Sequence, residues 1–205
     1  MKLSTRVPLV LAALIALVAV SCSCNGGNGT PTPTPAGNAT ATPAGNATAS
    51  PTATATPVEY LEHVDEESGF AILYPQDWED YTSEGVLVAF GAGEADVECA
   101  PQFNVVAEEL SAPTTVDAWF EEMKGNFTAV AGYTAISEEQ VTVDGVAAIK
   151  HVCSFDVYEV SFTAMLLYAV EDTVGWTVFS TCRSDGWVRY EPVFDTVLGG
   201  FRLLD

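Results

Sequence analysis

Positive charge is scarce in this chain: seven Lys and Arg stand against 28 Asp and Glu in 205 residues, a formal charge of −21. So acidic a surface repels nucleic-acid phosphates and anionic headgroups, and nucleic acid is excluded as a partner. Histidine is scarcer still, with only His63 and His151, so few groups titrate near neutral pH. No Gly-x-Ser-x-Gly elbow, phosphate-cradling glycine loop or His-Glu-x-x-His zinc pair occurs. The apolar run from Val7 to Val20 has 14 residues. As a helix it spans about 21 Å, too short for a hydrocarbon core of about 30 Å.

That run follows Lys2 and Arg6 and ends in Ala19-Val20-Ser21-Cys22. A basic start, a short apolar stretch and small residues read as an export signal. Small residues directly before a cysteine resemble the lipobox of bacterial and archaeal lipoproteins, in which the cysteine becomes the new N-terminus and carries lipid. The resemblance implies a signal peptide over 1–21, lipid attachment at Cys22, and a place on the extracytoplasmic face of the cell membrane. Ordinary cleavage near Ser21 and an uncleaved anchor helix are the alternatives. All three put the remainder outside the membrane.

Residues 22–57 read as a stalk. Positions 25–57 carry no charge and almost no large apolar side chain, so they cannot bury enough surface to offset chain entropy. The segment Pro35-Ala36-Gly37-Asn38-Ala39-Thr40-Ala41 recurs from Pro43 to Ala49 as a low-complexity repeat. Fully extended at about 3.1 Å per residue, such a tract reaches on the order of 100 Å. Asn28, Asn38, Asn46 and Asn126 each open an Asn-x-Thr sequon, and Asn/Thr-rich composition alone generates such triplets.

Residues 58–205 hold all 28 acidic residues and five of the seven basic ones, a formal charge of −23, and have the length of one domain. The pattern predicts strands over Gly69–Pro75, Val86–Phe90 and Phe103–Ala107. A helix is expected after the cap-like Thr114-Thr115-Val116-Asp117, with Val116, Trp119, Phe120, Met123 and Phe127 on one stripe and Gly125 as its stop. A meander follows: Tyr133–Val143, Val146–Phe155, Tyr158–Val170 and Val174–Cys182, with Asp144-Gly145 as a tight turn. Phe162, Ala164, Leu166 and Tyr168 alternate with Met165, Leu167 and Ala169, so this strand is apolar on both faces and should lie centrally in a sheet covered on both sides. A last helix over Trp187–Leu198 turns Tyr190, Phe194, Val197 and Leu198 inward, has Pro192 in or near its first turn and ends at Gly199-Gly200.

Gly69-Phe70-Ala71-Ile72-Leu73-Tyr74-Pro75-Gln76-Asp77-Trp78, the late hairpins, and Val193 through Arg202 resemble PsbP-like domains, a family named for a photosystem extrinsic protein and common among prokaryotic lipoproteins. The resemblance implies an α+β fold: an antiparallel sheet of about six to seven strands flanked by helices, an α/β/α sandwich, with a Phe-Arg strand after the last helix. It implies binding or assembly rather than a shared reaction. No catalytic residue carries over. Gly200 departs from the pattern, since relatives often have Ser there.

Residues for chemistry are few. His151 and Cys153 lie two apart on a strand, about 6.6 Å along it, too far for a hydrogen-bonded dyad. Glu94, Asp96 and Glu98, and likewise Asp77, Glu79 and Asp80, offer the hard oxygen ligands calcium takes, though neither matches a twelve-residue calcium loop and a solvated acidic loop is the plain alternative. Cys99, Cys153 and Cys182 are odd in number outside the membrane, which suggests one disulfide with one thiol left over, or a pairing with Cys24. In a simple meander Cys153 and Cys182 are two strands apart, about 9.6 Å, beyond bridging distance. Cys99 with either of them, or three reduced core cysteines, remain open. Trp187, just after the turn Ser184-Asp185-Gly186, is the tryptophan expected at a binding surface.

Two function classes follow. One is a membrane-anchored lipoprotein whose non-enzymatic domain binds an envelope protein, polymer or small ligand, without a cofactor. The other is an envelope hydrolase with an unrecognised carboxylate site, or a calcium-binding surface protein.

Overall fold

The computed structural model describes residues 57–93 and 100–204. Seven antiparallel strands form the main sheet: β3 (Trp78–Asp80), β4 (Val88–Ala92), β5 (Gln102–Glu109), β6 (Thr134–Val143), β7 (Val146–Val157), β8 (Val160–Glu171) and β9 (Val174–Arg183), in the order β3-β4-β5-β9-β8-β7-β6. Between β5 and β6 the chain crosses one face as helix α1 (Val116–Phe127); after β9 a 3-10 turn (Ser184–Gly186) leads into helix α2 (Trp187–Gly199) on the other. Strands β1 (Tyr60–Asp65), β2 (Phe70–Pro75) and β10 (Arg202–Leu203) form a second sheet in the order β1-β2-β10, and its buried side chains join α2 against the main sheet. The α/β/α layering expected from the sequence is present.

Each element has a local cause. Thr115 caps α1, its hydroxyl accepting from the Ala118 N–H at 3.2 Å, which satisfies an orphan donor of the first turn. The helix does not stop at Gly125. It runs on to Phe127 because that ring is buried against Phe155 and Phe179, and this burial outweighs the cost of one exposed helical glycine. Asp144 and Gly145, with φ of 48° and 85°, make the β6–β7 turn in the left-handed geometry that hairpins favour.

In α2, Pro192 is the sixth residue and so lies just past the first turn. Pro192 has no N–H to donate to the Val188 carbonyl, and Val188 is 85% exposed, so that turn lies at the surface of the helix. Gly200 also has a reason: a Cβ there would meet Leu73 at 2.5–2.8 Å, so the Ser common in relatives does not fit beside this leucine.

β8 is central and covered on both sides. Phe162, Ala164, Leu166 and Tyr168 face α1 with Trp119, Phe120, Met123 and Phe127, while Met165, Leu167 and Ala169 face α2 with Phe194, Val197 and Leu198. Strand β1 was not marked by the sequence pattern, and Tyr158 and Glu159, expected to begin a strand, instead form the β7–β8 turn with φ of 49° and 66°.

Candidate interaction surface

Among the described residues His151, Cys153 and Cys182 are turned inward, while His63 on β1 is half-buried. His151, on β7 and 1% exposed, packs edge-on against Phe120. Its Nδ1 donates to the Ser137 carbonyl at 3.1 Å, leaving Nε2 to accept from the Tyr133 hydroxyl at 3.2 Å. Ser137 closes the irregularity in β6 where the register shifts between Ala135 and Ser137, so His151 ties down a bulge. Burial holds its pKa below the ordinary 6.5, against the opposing pull of the Ser137 carbonyl.

Cys153 and Cys182 are free, buried thiols, both pushed up to about 12 by burial. Cys153 pairs with Ala164, and Cys182 with Thr163. The strand order puts β8 between them, as the meander required, and they point to opposite faces of the sheet. A Cys153–Cys182 disulfide is therefore ruled out, and neither cysteine is bridged among the described residues. Neither thiol is a nucleophile near neutral pH.

The α1 side of the sheet also holds polar groups with no hydrogen-bond partner among the described residues. They are both amide atoms of Asn104, which is fully buried, with Thr177 Oγ1, Tyr168 Oη and Trp119 Nε1. Asn126 belongs to this set: its Nδ2 has no exposed surface, so the folded domain withholds the attachment atom of that sequon. On the other face Trp176 Nε1 and Ser180 Oγ are unpartnered.

The positive charges of the described residues are committed locally. Lys124 reaches Glu138 at 2.7 Å, Lys150 reaches Asp195 at 2.9 Å and Glu139 at 3.7 Å, Arg183 pairs with Asp185 at 3.0 Å and Arg202 with Glu62, while Arg189 lies over the Tyr190 ring. The acidic surplus is left to face outward.

Of the residues singled out in the sequence, Cys22, Glu94, Asp96, Glu98 and Cys99, and the sequons at Asn28, Asn38 and Asn46, lie outside the described residues. Asp80 and Glu79 spend oxygens on the Thr82 N–H and the Tyr81 hydroxyl, and no group of three or more His, Cys, Asp and Glu able to hold a metal occurs among the described residues. Trp187 is half-buried at the start of α2, its ring 6.0 Å from Phe194. The aromatic corner around Pro75 is structural: Tyr74 stacks on Phe90 at 4.0 Å and Trp78 meets Phe194 edge-on. No helix among the described residues is long and apolar enough to cross a membrane.

The open feature of the sheet is β6. Among the described residues it has β7 as its sole neighbour, and nine of its ten residues are exposed or half-exposed.

No protein-family model and no curated protein sequence matches the chain. Solved structures do share its shape. The solution structure of cyanobacterial PsbP (CyanoP) from Synechocystis sp. PCC 6803 matches with a TM-score of 0.54 at 19% identity, over 73% of this chain and 95% of that one. The domain has the PsbP fold. LpqN, a Mycobacterium tuberculosis protein involved in cell envelope biogenesis, matches this PsbP-like domain with a TM-score of 0.59 at 11% identity, over 73% of this chain and 93% of its own. At such identities the likeness is one of architecture.

Proposed function

We propose that the chain is a lipid-anchored, extracytoplasmic lipoprotein whose PsbP-like domain binds a protein, polymer or small ligand of the envelope without turning it over. The observation that carries the reading is the joining of a short export-type leader ending at Cys22, through a charge-free tract, to a domain of the fold seen in LpqN. Further support comes from the burial of His151, Cys153 and Cys182, which withdraws those groups from acid–base and nucleophilic work.

Fractionation of a bacterial host tests the anchor: Cys22→Ala should release the protein into the medium or leave it unprocessed. Membrane partitioning at normal mature size would overturn it. Trp187→Ala tests the contact surface proposed at the start of α2. Partner capture should fall with the melting temperature within a few degrees, whereas a large loss of stability would assign the indole to the core beside Phe194.

A further inference from the structure

An edge strand displays a row of unpaired main-chain donors and acceptors, and proteins ordinarily blunt it with lysine, proline, bulges or short length. The opposite edge of this sheet, β3, has three residues. β6 has ten, without lysine or proline, and its bulge is confined to Ala135–Ser137. From Ser137 to Val143 the register against β7 is unbroken, with Ser137 opposite Val152 and Val143 opposite Val146. Seven consecutive residues are thus regular, exposed or half-exposed for the most part, and without a strand on their outer side among the described residues.

The charge along this edge selects what fits. Glu138 and Glu139 are adjacent and so point to opposite faces; around them stand Asp117, Glu121 and Asp195, against Lys124 and Lys150, a surplus of three negative charges. Side chains directly opposite on paired strands lie about 4.5–5.5 Å apart, where like charges repel. A second copy of β6 paired about Glu138 and Glu139 would set glutamates against glutamates, which disfavours that register. Building on the reading of the domain as a binding module, we infer that β6 receives an extended segment of another protein as an eighth strand, and that this segment carries two adjacent basic residues, one for Glu138 and one for Glu139. Main-chain hydrogen bonds supply the attachment and the paired charges set register and choice of partner.

The probe is an eight-residue capped peptide, Thr-Val-Thr-Lys-Lys-Thr-Val-Thr, with the Glu-Glu sequence as control, added to the full chain in detergent. Amide hydrogen exchange should slow over Ser137–Val143 with the Lys-Lys peptide and not with the control, the effect weakening as salt is raised. In Glu138→Lys/Glu139→Lys the preference should invert by at least tenfold. If the double variant melts low, Glu139→Lys alone, at a well-exposed position, should weaken the Lys-Lys peptide several-fold. Protection elsewhere, none at millimolar peptide, or an unchanged preference overturns strand addition at β6. The fate of the Cys22→Ala chain reports on anchoring independently.

Discussion

Beneath α2 the sheet presents Phe103, Val105, Met165, Leu167 and Val178, and what meets them is Phe70, Ile72, Phe194, Val197 and Phe201. Beneath α1 the same sheet presents Asn104, His151, Tyr168, Thr177 and Thr181 among their apolar neighbours, and several of these polar atoms lack a partner among the described residues. Burying apolar surface stabilises at roughly 25 cal/mol per Å², whereas an unpaired buried polar group costs about 1–3 kcal/mol. The α2 face, which leaves fewer such atoms (Trp176 Nε1 and Ser180 Oγ) without a partner among the described residues, is therefore the more stable half of the core. The α1 face gives up stability for polar groups that apolar ones of similar shape would improve on, and β6, tied to α1 through Gln140–Asp117 and Glu138–Lys124, belongs to that side.

Three measurements bear on this contrast. Phe194→Ala removes a fully buried ring held among Trp78, Trp187 and Tyr190, and should cost about 3–5 kcal/mol in denaturant unfolding. A cost under about 1.5 kcal/mol would mean that the α2 face collapses easily, and the contrast would fail there. On the other face Asn104→Leu should raise stability by about 1–3 kcal/mol, since an orphaned amide gives way to an apolar group of similar size. A comparable loss would show that the amide is satisfied.

The smallest effect is one of pH. Because burial depresses its pKa, His151 stays neutral in the folded domain while the unfolded chain takes up a proton. Its contribution is complete above the unfolded value of 6.5 and is lost as the pH falls toward and through the folded one. Melting temperature should drop from pH 7.5 to 5, and His151→Gln should flatten that drop. Asp65 and Asp80, held low chiefly by the Ser68 N–H and the Thr82 hydroxyl, act below that window: their contributions are complete above 3.8 and fail as the pH falls through their depressed values. An undiminished drop in the His151 variant would remove this residue from the account.

The layers were legible where one residue's chemistry dictates the local backbone. The double alternation of β8 requires cover on both sides, and Asp144-Gly145 suits two consecutive positive φ angles. Tyr158-Glu159 adopts nearly the same geometry with neither Gly nor Asn, so tertiary pairing of β7 with β8 overrides a preference of about 1–2 kcal/mol per residue, and no turn signal was there to read. β1 was hidden because Leu61 and Val64 remain largely exposed and its partners lie along β2. The edge status of β6 depends on α1 delivering the chain to the far side of the sheet, and the His151–Ser137 contact depends on a bulge. Both are consequences of topology, which spacing in a sequence does not encode.

The opposed placement of Cys153 and Cys182 gives the domain two internal clocks. Alkylation requires a thiolate at the surface, and with both groups at about 12 each sulfur reacts only when its own layer lifts away. Pulse labelling followed by peptide mass analysis therefore times the parting of α1 at one cysteine and of α2 at the other, within a single unmodified chain.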